Sequence, residues 1–124
     1  MKQITTNSAP KAIGPYSQAI LSNNLLFVSG QIPIDPSTGK PVTGSPALQT
    51  ETILKNIGEI LKKAGCTYKN IIKTEIFLTG MDCFAEVNEA YSSFFSEPYP
   101  ARTTAEVSSL PKGASVEISV IAAL

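Results

Sequence analysis

Between Ser45 and Thr79 the apolar residues change period once, and that change confines the chain to folds that lay a helix on a sheet. Ser45-Pro46 reads as a helix start, a capping hydroxyl followed by proline at the first helical position, and Gly65 supplies the stop. Between them Leu48, Thr52, Ile53, Ile57, Ile60, Leu61 and Ala64 recur at helical spacing, with Glu51, Lys55, Glu59 and Lys62 on the other side. The stretch "NIIKTEIFLTG" then alternates with period two, which puts Ile72, Thr74, Ile76 and Leu78 on one face of a strand and Lys73, Glu75, Phe77 and Thr79 on the other.

The flanking segments follow the same rules. Two apolar runs meet at Asn23-Asn24, and asparagine tolerates the left-handed backbone of a tight hairpin, so strands are expected near 16–21 and 25–31. The proline- and glycine-rich "PIDPSTGKPVTGSP" marks a surface loop. Asp82 is placed to cap a second helix in which Phe84, Val87, Tyr91, Phe94 and Phe95 recur at three- and four-residue steps, until Pro98 and Pro100 forbid continuation. Two further strands, "RTTAEV" and "ASVEISVIAAL", are joined through the "LPKG" turn. The order predicts an α+β fold, a mixed sheet with both helices packed on one face. Phe77 and Ile121 then point to the face the helices leave open, and an exposed apolar sheet face of that size calls for a partner; a homo-oligomer is expected.

Composition narrows the function. A chain of 124 residues, 43% of them apolar, is expected to form a single domain over 1–124. Its formal net charge is +0, with lysines and acids interspersed, so no basic stripe invites nucleic acid. No signal-peptide run or bilayer-length apolar segment is present, and the expected compartment is the cytosol. Cys66 and Cys83 read there as free thiols. Histidine is absent (His 0), which removes Ser-His and Cys-His nucleophile systems, imidazole-based zinc sites and two-histidine RNA cleavage. Proton chemistry near neutral pH must use Glu, Asp, Lys, Tyr, Cys or bound water.

Two residues stand out against this background. Arg102, in "YPARTTAEV", is the only arginine in the chain. Arginine is preferred over lysine for planar, two-pronged recognition of a carboxylate or phosphate; the alternative is an ion pair with Glu106 or Glu75. Glu117 sits in "SVEISV", the most apolar strand, and is either solvated or partly buried with a raised pKa suited to proton transfer. In "IGPYSQA" and "VSGQIP", Gly30 would let a ligand approach the backbone, and Tyr16 and Ser29 offer hydroxyls; turn and packing roles explain these residues equally well.

The segments "GPYSQA" (14–19), "VSGQIP" (28–33), "VNEAYSSFF" (87–95), "YPARTTAEV" (99–107) and "LPKGASVEISVIA" (110–122) together resemble the RidA family, also called YjgF and labelled endoribonuclease L-PSP. The resemblance implies a chorismate-mutase-like fold, a homotrimer with ligand clefts between subunits, and no cofactor. It implies hydrolysis of 2-iminobutanoate, 2-iminopropanoate and related enamine/imine products of PLP enzymes to 2-oxo acids and ammonia. By motif, Arg102 would hold the substrate carboxylate and Glu117 would position or activate water. Tyr16, Ser29, Gly30 and Asn88 would line the substrate site. Thr104 lies in that site where many members carry cysteine, so thiol-dependent behaviour is not expected. The short "SEPYP" segment is expected to alter the cleft rim.

Two competing readings come from other classes. A ribonuclease or translation inhibitor predicts salt-sensitive RNA binding. A non-catalytic metabolite-binding trimer predicts unchanged behaviour after Glu117→Gln.

Overall fold

The computed structural model describes residues 1–124. The hairpin forms where the asparagines predict it: Asn23 and Asn24 take φ of 50° and 62°, which turns β2 (Ala19–Ser22) back onto β3 (Leu25–Gln31). A short strand the sequence reading missed, β1 (Lys2–Ile4), adds to the outer side of β2.

Helix α1 (Pro46–Lys63) begins as expected, with Ser45 Oγ accepting from the Leu48 N–H at 3.1 Å. It ends in a Schellman arrangement: Gly65 takes φ +84°, its N–H bonds the Lys62 carbonyl, and the Cys66 N–H bonds the Leu61 carbonyl. Ile53, Leu54, Ile57, Ile60 and Leu61 are fully buried. Leu48, expected on that face, is exposed. The inward positions of the first turns are held by Gln49 and Thr50, whose polar atoms find backbone partners there: Gln49 accepts from the Ser115 N–H and donates to the Gly44 carbonyl, and Thr50 donates to the Pro46 carbonyl.

Strand β4 (Ile71–Leu78) carries a second correction. The register against β6 (Val116–Ala123) shifts between Ile71 and Lys73, so a bulge turns Ile72 outward and Ile71 takes its buried place. Thr74, Ile76 and Leu78 face the core as predicted.

Helix α2 (Phe84–Ser92) is shorter than its aromatic spacing suggests. Asp82 makes no cap hydrogen bond; it lies in a tight turn, Met81–Cys83, that leads into the helix. Phe94 and Phe95 follow the helix and pack against Tyr68 edge-on, with ring centroids 5.5 and 6.2 Å away.

The sheet order is β1-β2-β3-β6-β4-β5, with β5 spanning Ala101–Glu106. β5 runs parallel to β4, and the other pairs are antiparallel, so the sheet is mixed. Although adjacent in sequence, β5 and β6 are separated by β4, and β5 forms an edge. Both helices cover one face: α1 packs on β3 and β6, and α2 reaches β4, where Tyr91 meets Thr74. Even-numbered residues of β6 from Val116 to Ala122 are buried there. The other face presents Phe27, Phe77 and Ile121, with Phe27 44% exposed, so the apolar surface predicted to need a partner is there. No helix is long and apolar enough to cross a membrane.

Candidate active site

Strand parity decides where the singled-out residues point. Glu117 stands opposite Phe77 in the β4–β6 ladder and therefore shares its open face. Beside it the β3–β6 register slips between Val28 and Gln31, and this irregularity brings Gly30 against the carboxylate. A Cβ at Gly30 would lie 2.9 Å from Glu117 Cδ and Oε2, so only glycine lets the side chain fold across the strand. Burial pushes the Glu117 carboxyl above its ordinary value. The solvated alternative for this residue is thereby replaced by the partly buried one.

A cleft of about 790 Å³ opens at this point, lined by Ile13, Tyr16, Gly30, Gln31, Lys112 and Glu117 among others. Tyr16 reaches it through a turn in which Gly14 adopts φ +126°, and its hydroxyl accepts from the Ile13 N–H at 3.3 Å. Ser29 does not line the cleft. Its hydroxyl donates to the Ser17 carbonyl at 2.5 Å and is spent on joining the β3 bulge to the entry of β2.

A residue missed by sequence reasoning shapes the rim. Gln18 is buried; its Oε1 accepts from the Thr6 N–H at 2.8 Å, and its Nε2 donates to the carbonyls of Thr6 and Pro10 at 3.0 and 2.8 Å. These bonds dock the segment before Tyr16 along β2. The signal was a long amide in a segment read only for its glycine and hydroxyls.

Arg102 lies elsewhere. It pairs with Thr74 across β4–β5, which places it on the helix-covered face at the sheet edge. Its guanidinium donates to Asn88 Oδ1 at 2.6 Å and sits 5.1 Å from the Tyr91 ring centre and 5.6 Å from that of Phe84. Neither carboxylate suggested as an ion-pair partner takes it. Glu75 is on the opposite face beside Thr103, and Glu106 accepts from the Met81 N–H at 2.9 Å. Thr104 follows on the same face as Arg102, and its Oγ1 is buried without a hydrogen-bond partner.

The chain thus gathers the singled-out residues into two separate groups. One combines Tyr16, Gly30 and Glu117; the other combines Asn88, Arg102 and Thr104. The first offers a carboxylate with a raised pKa in a cleft, and the second a cation able to grip a carboxylate.

The fold is a mixed α+β sheet with its one arginine on an edge strand and a glutamate folded over glycine. The chain belongs to the RidA/YjgF family: the family model described as Endoribonuclease L-PSP matches residues 6–124. It is 47% identical over 119 residues to human 2-iminobutanoate/2-iminopropanoate deaminase, covering 96% of this chain and 87% of that protein. It superimposes on the YjgF gene product of E. coli with a TM-score of 0.94 at 40% identity, covering 99% of this chain and 98% of the other. The structure of E. coli TdcF with bound serine matches with a TM-score of 0.95 at 39% identity, covering 100% of this chain and 99% of that one.

Proposed function

We propose that the protein is a 2-iminobutanoate/2-iminopropanoate deaminase, acting as a homotrimer of chorismate-mutase-like subunits with sites between neighbours. The observation that carries this reading is the placement of Arg102 and Glu117 on opposite faces of one sheet, each with part of a site around it. A cleft that uses both needs a second copy, and the open apolar face beside Glu117 supplies a surface for it. Serine in the related TdcF carries a carboxylate of the kind Arg102 would hold.

In this site the substrate carboxylate lies on the Arg102 guanidinium in two parallel hydrogen bonds. Water attacks the carbon of the protonated imine, forming a C–O bond, while Glu117 accepts a proton from it. As the C–O bond forms, the C=N π electrons pass to nitrogen, and Glu117 returns its proton there; the C–N bond then breaks to release ammonia while Glu117 takes the hydroxyl proton, leaving a 2-oxo acid. The imine is already electrophilic, so the protein contributes mainly position and a base of matched pKa. Tyr16, Gly30, Asn88 and Thr104 shape the pocket around the small side chain.

The test couples a PLP-dependent dehydratase to the purified protein and follows 2-oxo acid release from the freshly formed imine. Acceleration above the spontaneous rate supports the reading; none, with an intact oligomer, defeats it.

A further inference from the structure

Arg102 is exposed and long, yet three residues of one helix hold its guanidinium. Phe84, Asn88 and Tyr91 follow one another along a single face of α2 at four- and three-residue steps, two rings and an amide oxygen all aimed at the same cation. None of the three carries a negative charge. They orient the guanidinium without neutralising it, which leaves its charge for a ligand.

Tyr91 is itself fixed from below. It is 4% exposed, and its hydroxyl shares a 2.9 Å hydrogen bond with Thr74 Oγ1, a fully buried side chain. Thr74 is the residue that stands opposite Arg102 in the β4–β5 ladder. The far edge of the tyrosine ring is therefore tied to the strand position beside the arginine, and its face carries the guanidinium. Phe95 closes the other flank, 4.5 Å from Tyr91 between ring centres at 30°. Burial raises the Tyr91 pKa, outweighing the Thr74 hydrogen bond and the Arg102 charge, which both act to lower it.

We propose that Thr74 and Tyr91 are positioning residues: the Thr74–Tyr91 hydrogen bond sets the ring that holds the Arg102 guanidinium in place for a ligand carboxylate. Pre-ordering a long side chain removes an entropy cost otherwise met on binding. The ligand part rests on the deaminase reading; the geometric part stands without it.

The lone arginine makes the test direct, because a nitrogen-15-labelled sample has a single arginine Nε–H resonance to follow. Its heteronuclear NOE is measured in wild type, Tyr91→Leu, Tyr91→Phe, Thr74→Val and the Thr74→Val/Tyr91→Phe double variant, alongside kcat and KM for imine hydrolysis. Wild type is expected to give an ordered, ring-shifted signal and Tyr91→Leu a mobile one. The two hydroxyl deletions should loosen it to similar intermediate degrees, and the double variant should be no worse than either, since both remove one bond. KM is expected to rise about tenfold in Tyr91→Leu, in line with loss of a cation–π contact of about 1.4 kcal/mol, with kcat little changed. In an Arg102→Lys background that rise should shrink.

An Arg102 signal equally ordered in folded Tyr91→Leu would overturn the proposal. If that variant does not fold, an unchanged signal in both Tyr91→Phe and Thr74→Val does so. Inert wild type with the expected NOE series removes the deaminase reading and leaves the positioning role supported.

Discussion

Arg102 and Glu117 are both strand residues of one sheet, yet they point to opposite sides of it, because Arg102 lies beside Thr74 and Glu117 beside Phe77. Positions three apart on β4 have opposite parity. A site that joins these residues between subunits makes a sharp prediction for mixed oligomers. Arg102→Ala and Glu117→Gln, each strongly impaired alone, should regain activity when unfolded together and refolded at equal amounts. In a cyclic trimer with random mixing, about a quarter of the sites combine an intact arginine with an intact glutamate. Activity near that fraction of wild type is expected in the imine assay; none would place both residues' roles within one subunit.

Arg102→Ala should lower kcat/KM by roughly 30-fold to several thousand-fold, the range of about 2 to 5 kcal/mol for truncating one partner of a charge pair that ligand and second subunit together close off from water. Arg102→Lys should recover only part of this, because an ammonium cannot make the two-pronged contact. Steady-state kinetics beside size-exclusion chromatography separates this from loss of assembly.

Burial holds the Glu117 proton to higher pH in the folded chain than in the unfolded one. Across that interval the folded state binds more protons, so stability falls as pH rises through it, and the loss is complete above the folded pKa. Glu117→Gln should therefore unfold at a higher temperature than wild type at pH 7, with the gap closing toward pH 4, while its hydrolysis rate collapses. In wild type the acid limb of kcat/KM should lie above the ordinary carboxylate range. Thermal melts and a pH–rate profile check both halves.

Gly30→Ala places a methyl 2.9 Å from the Glu117 carboxyl carbon, so the carboxylate must swing off the strand. Activity should fall more than stability, because the displaced group can turn into the cleft. A drop in kcat/KM of at least about tenfold, with a stability loss under about 2 kcal/mol by urea titration, is expected.

Gly58→Ala tests packing far from chemistry. In a helix interior this change usually stabilises by about 0.5–1 kcal/mol. Here the new Cβ would fall 2.2 Å from the Tyr68 hydroxyl, which donates to the Leu54 carbonyl at 2.6 Å and whose ring packs on Phe94 and Phe95. The variant should lose about 1–3 kcal/mol, as overpacked sites do. Tyr68 also sets an alkaline limit: burial and then the nearby Glu59 push its pKa up to about 12, so stability should fall between the ordinary tyrosine pKa near 10 and that value.

What the sequence by itself determined was local. Ser45, Pro46 and Gly65 bound α1, Asn23-Asn24 turn the hairpin, and the alternation from Thr74 to Leu78 predicts the buried face of β4, because caps, positive φ and side-chain period act within a few residues. The same reading marked Arg102 and Glu117 by type and setting. Only the tertiary structure decided the rest. The bulge that turns Ile72 outward, the placement of β5 beside β4, and the slip that seats Glu117 over Gly30 are set by pairing between distant strands. That pairing fixes which side of the sheet each residue faces, and a shift of one residue exchanges the two sides. The partners of Arg102 follow from it: Asn88 and Tyr91 meet the guanidinium because α2 packs over β4 and its edge neighbour, a contact no local pattern encodes.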